Sequence, residues 1–144
     1  MSFWEDAVAL SDSRARGHVV VLAYVIAFAV ATICHLFDIG RGGWLPYTKY
    51  ALGLNVFWTS LTFLDPLAIA LLLYRRRAGL CLALLIITVD VAVNLTVGIG
   101  EFIQTGRFTF WGLATQTPVG VFMWWTAPSV WADAAEAAYP SRDG

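Results

Sequence analysis

The sequence predicts an all-α integral membrane protein: one four-span transmembrane domain over residues 1–144, folded as an antiparallel four-helix bundle with both termini cytoplasmic. Three observations lead there. Of the 144 residues, 59% are hydrophobic and 13% charged, where an average soluble domain is about 25% charged. The apolar residues come in runs long enough to cross ~30 Å of hydrocarbon, which a soluble core would break into shorter periodic segments. With four crossings, Arg14, Arg16, Arg75, Arg76, Arg77 and Arg142 fall on one side, and Arg41, Lys49 and Arg107 on the other. The richer side is cytoplasmic by the positive-inside bias. The expected location is the cell inner (plasma) membrane, crossed several times.

The spans are read from about His18 to Ile39, Tyr47 to Tyr74, Ala78 to Ile99 and Phe108 to Ala132, with ends good to ~2 to 4 residues. Gly40, Gly42, Gly43 and Pro46 break the first connection, the arginine triplet and Gly79 the second, and Gly98, Gly100 and Gly106 the third. Such short connections place consecutive helices antiparallel. The N-terminal stretch carries acids among its apolar residues and no signal-peptide cleavage pattern, so it is expected to persist. Phe3, Trp4, Val8 and Leu10 suit a short amphipathic turn along the membrane surface.

Several functions are disfavoured. A net charge of -1 offers no general attraction for nucleic acid. Cys34 and Cys81 form no CxxC and read as buried, inert thiols, and neither a metal site nor a cofactor is indicated. His18 and His35 stand about 25 Å apart on one helix, too far to clamp a haem between them. No mid-span lysine, histidine box or phosphate-cradling glycine loop occurs. Asp65 and Asp90 lack the glycine-rich setting of intramembrane aspartyl peptidases. The tryptophans Trp44, Trp111, Trp124, Trp125 and Trp131 fall near the two interfaces, where amphipathic rings anchor helices.

Polar residues inside spans belong on inward faces, because lipid satisfies none of their hydrogen bonds. In span three, Asp90, Asn94 and Glu101 fall within ~40° of one another around a helix. In span two, Asn55, Thr62 and Asp65 share an arc of ~80°, with Thr59 at its edge. Span four repeats Gly112, Gln116 and Gly120, and span one Ala23, Ala27, Ala31 and His35, each at intervals of four and read as contact seams. Counting ~1.5 Å per residue from the arginine triplet puts Asp65 ~15 Å and Asp90 ~20 Å inside. Asn94, His35 and Asn55 come nearer the outer surface, which outlines a cavity widening outward.

An ionised aspartate at mid-bilayer costs at least ~2.5 to 3.5 kcal/mol, and no lysine or arginine lies at that depth. Either the two acids keep their protons, or water and a cation reach them. A protonated Asp bonded to an amide or threonine can instead be interhelical glue, and Pro66 frees the Thr62 carbonyl, which wants a donor. His35 near the interface suits a local hydrogen-bond partner as well as a functional group.

In span two, WTSLTFLDPL sets Trp58 seven residues before Asp65-Pro66-Leu67, and upstream come His35, Asp38 and Leu45-Pro46. This order resembles the EXPERA domain proteins, the sterol isomerase and sigma-2 receptor group. The resemblance implies that Asp38 and Asp65 correspond to the two acids that meet a cationic amine or carbocation-like sterol. It departs in placing the DPL within a span, not ahead of one, and in lacking a following glutamate. The chain also resembles small uncharacterised bacterial four-span proteins, which implies no activity.

The expectation is a pocket that binds or converts a small lipophilic molecule, cationic or sterol-like, amid membrane lipids. Asp65 and Asp90 supply negative potential or a proton, Asn94 and Gln116 orient the ligand, and Trp58 stacks on it. Asn55, Thr62, His35 and Asp38 complete the lining. A rival is a proton- or cation-coupled transporter or channel, which in so thin a bundle requires a homodimer. A third reading is a non-catalytic subunit of a membrane complex.

Overall fold

Without water to complete them, backbone groups in lipid must pair within their own segment, which selects helices. Among its described residues the computed structural model contains four, α1 (Phe3–Gly42), α2 (Leu52–Tyr74), α3 (Arg76–Thr105) and α4 (Trp111–Ala138). It describes the backbone of residues 3–107 and 111–138 and the side chains of residues 15–107 and 112–136. The expected contributions of Arg14, Arg142 and the Trp111 ring, and the expected start of span four at Phe108, lie outside the described residues.

Three of the helices are long and apolar enough to cross a membrane, through Ala15–Gly42, Leu52–Tyr74 and Arg76–Thr105. Their outward faces fit lipid: Val19, Leu22, Ile26, Val30, Ile33 and Phe37 form an exposed stripe along α1, at spacings of three and four. Helix α4 has 28 residues, but Thr115, Gln116, Thr117 and the internal Pro118 and Pro128 interrupt its apolar character.

Helix boundaries depart from the sequence expectation at several places: α3 runs through Gly98 and Gly100 to Thr105 and α4 to Ala138, each six residues past the expected end of its span. The amphipathic turn expected around Phe3 to Leu10 is continuous with α1, because neither proline nor glycine interrupts the chain before Gly17. Span two was expected from Tyr47, but α2 begins at Leu52. Pro46 resists helix, and Tyr47 to Tyr50 closes instead as a turn, with Tyr50 N–H donating to the Tyr47 carbonyl at 3.0 Å. Helices α1 and α3 end on left-handed glycines, Gly43 at φ +80° and Gly106 at φ +69°. Their N–H groups donate back to the carbonyls of Ile39 and Phe102, each at 2.8 Å, a closure that side chains resist at positive φ.

Helix α1 touches α2 and α4, and α3 touches the same two, so the four close into a ring. Asp133 lies against Gly17, and Asn94 against Gly112. The Tyr24 hydroxyl donates to the Met123 carbonyl at 2.8 Å and lies 2.6 Å from Thr126 Oγ1. The buried line of α1 is Val21, Tyr24 and Phe28. The alanine stripe expected to be its seam is only half-buried, since the tyrosine's bond to α4 sets the helix rotation. Gly112 and Gly120 do face α3, as their spacing predicts. Both cysteines, expected inside, are exposed; in a membrane the helix exterior is as apolar as the core, so an apolar run does not report burial.

Between α2 and α3 only Arg75 intervenes, and the crossing is so tight that a Cβ on Gly79 would lie 2.2 Å from Leu72 N. Gly79→Ala is expected to lower stability by about 1–3 kcal/mol through overpacking. Gly100→Ala, with nothing within 4 Å of the added carbon, is expected to raise it by about 0.5–1 kcal/mol through helix propensity. Thermal unfolding of both variants in one detergent checks the pair.

Candidate functional site

Asn55, Thr59, Thr62 and Asp65 recur at spacings of four, three and three, one face of α2. All four are buried, Asp65 to 1% exposure, and Trp58 on the same face is buried with them. Across from this face, Asp90 of α3 is 5% exposed. No lysine or arginine occurs at residues 17–40, 52–74, 78–106 or 108–141.

The two acids are treated differently. Asp90 receives side-chain hydrogen bonds from Trp58, Asn94 and Gln116, which come from α2, α3 and α4. Asn94 Nδ2 lies 2.9 Å from Asp90 Oδ1, from the Asp90 carbonyl and from Gln116 Oε1. Its two hydrogens must therefore serve three acceptors. Asp65 Oδ2 is sealed from solvent and has no partner, and Thr62 Oγ1 is in the same state. Pro66 lacks the N–H that would satisfy the Thr62 carbonyl one turn below. A carboxyl oxygen and a freed carbonyl thus gather at this turn with no donor reaching them, and the Thr62 hydroxyl, which can donate as well as accept, is unpartnered beside them; an unmade hydrogen bond here costs about 1–3 kcal/mol per group.

A second polar group forms at the end carrying the α1–α2 connection. The Tyr47 hydroxyl donates to Asp38 Oδ2 at 2.8 Å and lies 2.9 Å from His35 Nδ1. Asn55, expected to meet a ligand, holds the connection: its Oδ1 accepts from Tyr47 N–H and its Nδ2 donates to the Leu45 carbonyl, both at 3.1 Å. Tyr47 and Tyr50 set their rings against Trp58 at centroid distances of 5.3 and 5.0 Å. Tyr50 reaches α3 by donating to Glu101 Oε1 at 3.2 Å. Burial, then the hydrogen bond to the Asp38 carboxylate, push the Tyr47 phenol above its ordinary value.

The sequence-predicted residues therefore divide into three sets: Trp58, Asp90, Asn94 and Gln116 in one cluster; Thr62 and Asp65 beside it; and His35, Asp38 and Asn55 around the connection. Trp58 was expected to stack on a ligand, but its ring is covered by two tyrosines and its N–H is committed to Asp90. Tyr47 and Tyr50 were not singled out from sequence; their one signal is an aromatic pair directly after Pro46. Among the described residues, no three of His, Cys, Asp or Glu assemble as a metal site would require. No family model, curated protein or solved structure matches this chain.

Tyr47→Phe is expected to cost about 1–3 kcal/mol at neutral pH, since it removes the bond to a carboxylate. Below pH ~10 tyrosine is neutral in folded and unfolded chains alike; above it the unfolded chain ionises while folded Tyr47 keeps its proton. Wild-type stability should therefore fall as pH rises beyond ~10, more steeply than in Tyr47→Phe. Thermal midpoints of both proteins between pH 8 and pH 11 measure the difference.

Proposed function

We propose that this protein is a membrane-embedded binding protein for a small lipophilic molecule whose head donates hydrogen bonds or carries positive charge, as an amine or a sterol-like compound does. The observation that carries this reading is the sealed, unpartnered pair of Asp65 Oδ2 and Thr62 Oγ1. A carboxyl group and a hydroxyl without partners at this depth hold an incomplete hydrogen-bond set, and a donor-bearing ligand completes it. Asp65 accepts the ligand's charge or proton, and Thr62 fixes the head beside it. Asp90 adds negative potential and is itself positioned by Trp58, Asn94 and Gln116, so the amides act through the acid. The EXPERA resemblance assigns Asp65 the same role. It also assigns one to Asp38, whose carboxylate here accepts from Tyr47.

The frame proposed for this site is a four-span antiparallel bundle in the cell inner membrane with cytoplasmic termini. Contacts support opposed neighbours: along α1, Gly17 meets Asp133 while Tyr24 meets Thr126, and along α3, Ile87 meets Gly120 while Asn94 meets Gly112. The arginine triplet supports the orientation. Tags at the two ends should both resist a protease added outside intact cells and both be cleaved after lysis; cleavage of either before lysis refutes the topology.

Purified protein should be stabilised thermally by hydrophobic amines or sterols, with Asp65→Asn reducing the affinity at least ~tenfold, about 1.4 kcal/mol. No stabilisation of the wild type, or an undiminished one in Asp65→Asn, rejects this reading. A second reading, proton- or cation-coupled transport by a homodimer, draws on the burial of two acids, Asp65 and Asp90, in helices that carry no lysine or arginine at residues 52–74 or 78–106. Liposome flux that Asp90→Asn abolishes would favour it.

A further inference from the structure

Apart from the buried acids, the polar group at the α1–α2 end has a geometry with its own chemistry. The Tyr47 hydroxyl has one hydrogen, and it is donated to Asp38 Oδ2 at 2.8 Å. The 2.9 Å contact with His35 Nδ1 must then run the other way, with Nδ1–H donating to the tyrosine oxygen. The order is Asp38 carboxylate, Tyr47 hydroxyl, His35 Nδ1–H, and it fixes both the tautomer and the ring plane of the histidine. The lone pair is left on Nε2. That atom has no partner among the described residues, and it is not one of the sealed unpartnered atoms.

The central member of the relay is held from elsewhere. Asn55 of α2 accepts from the Tyr47 backbone N–H, and the Tyr47 ring packs on the buried Trp58. The His35 and Tyr47 rings meet edge to face at a centroid distance of 6.5 Å. The charged or titratable groups acting on Tyr47 are Asp38 and Cys34 of α1 and Asp90 of α3. His35 lies seven residues before the end of α1 at Gly42, about 10 Å along the axis. If α1 crosses ~30 Å of hydrocarbon, this places the imidazole near the headgroup boundary.

A histidine that only braces the connection uses one ring nitrogen, and here the second keeps a lone pair that no described residue engages and that lies outside the sealed unpartnered set. We propose that His35 Nε2 is a second site, distinct from Asp65, which accepts a hydrogen bond or proton from the N–H or O–H headgroup of an amphiphile at the membrane boundary. When a proton is transferred, it moves from the headgroup to Nε2, no other bond changes, and the Asp38 carboxylate balances the imidazolium through Tyr47. Tyr47 and Asp38 are positioning residues for that atom.

The test uses the full chain in nanodiscs with His18→Gln, so that imidazole 15N resonances report on His35 alone. The free protein should show the Nδ1–H tautomer. Dodecylammonium and dodecanol, which differ in charge but both carry a donor, should shift the Nε2 resonance saturably; dodecyltrimethylammonium, with no donor, should not. Tyr47→Phe should weaken the saturable response at least ~tenfold, about 1.4 kcal/mol, with helix content unchanged by circular dichroism, and Asp65→Asn should leave it intact. An Nε2–H tautomer in the free protein, an equal response to the trimethylammonium probe, or an unaltered response in Tyr47→Phe overturns the assignment. Loss of the response in Asp65→Asn overturns it also, since the probes would then be reporting the interior site.

Discussion

Asp90 is a carboxyl group among apolar helices, and it is tolerated because side chains from three helices close on it. Trp58 brings α2, Asn94 the adjacent turn of α3, and Gln116 brings α4. Removing any one donor leaves the others bound to an incompletely paired acid, so the cluster acts as a unit. Helix α1 joins indirectly: Asp38 and His35 hold Tyr47, whose ring lies on Trp58, whose N–H holds Asp90. One line of contacts thus runs from the α1–α2 connection into the interior.

Against that satisfied acid, Asp65 stands out. Both carboxyl groups lie in the same apolar interior, but one has its donors and the other does not. Evolution of a purely structural core would remove the second acid or supply it with an amide, as it has for Asp90, because an unmade buried hydrogen bond weakens the fold. The proline that follows Asp65 adds a freed carbonyl to the same turn. An unpartnered carboxyl oxygen, an unpartnered hydroxyl and a freed carbonyl thus share one turn of α2.

The connection between α1 and α2 has two tasks in this arrangement. Its tyrosines cover Trp58 and so shield the interior acids on that end. Its hydrogen bonds to Asp38, His35 and Asn55 fix the cover in place. Cover and anchorage follow from one residue, Tyr47, because its hydroxyl and its ring meet different partners.

The sequence by itself determined that the chain is helical and of membrane-spanning character, since length and apolarity in a run are local properties that lipid reads directly. It also determined that Asn55, Thr59, Thr62 and Asp65 share one buried face, because helical period alone sets that. Only the tertiary structure decided which acid is satisfied: Asp65 and Asp90 look alike in sequence, and the difference lies in neighbours up to some thirty residues away, Trp58 and Gln116 among them. It likewise decided that α1 buries Tyr24 and not its alanine stripe, that the cysteines face outward, and that Tyr47 links helices, because in a chain apolar on every side the rotation of each helix is set by a few polar contacts between elements.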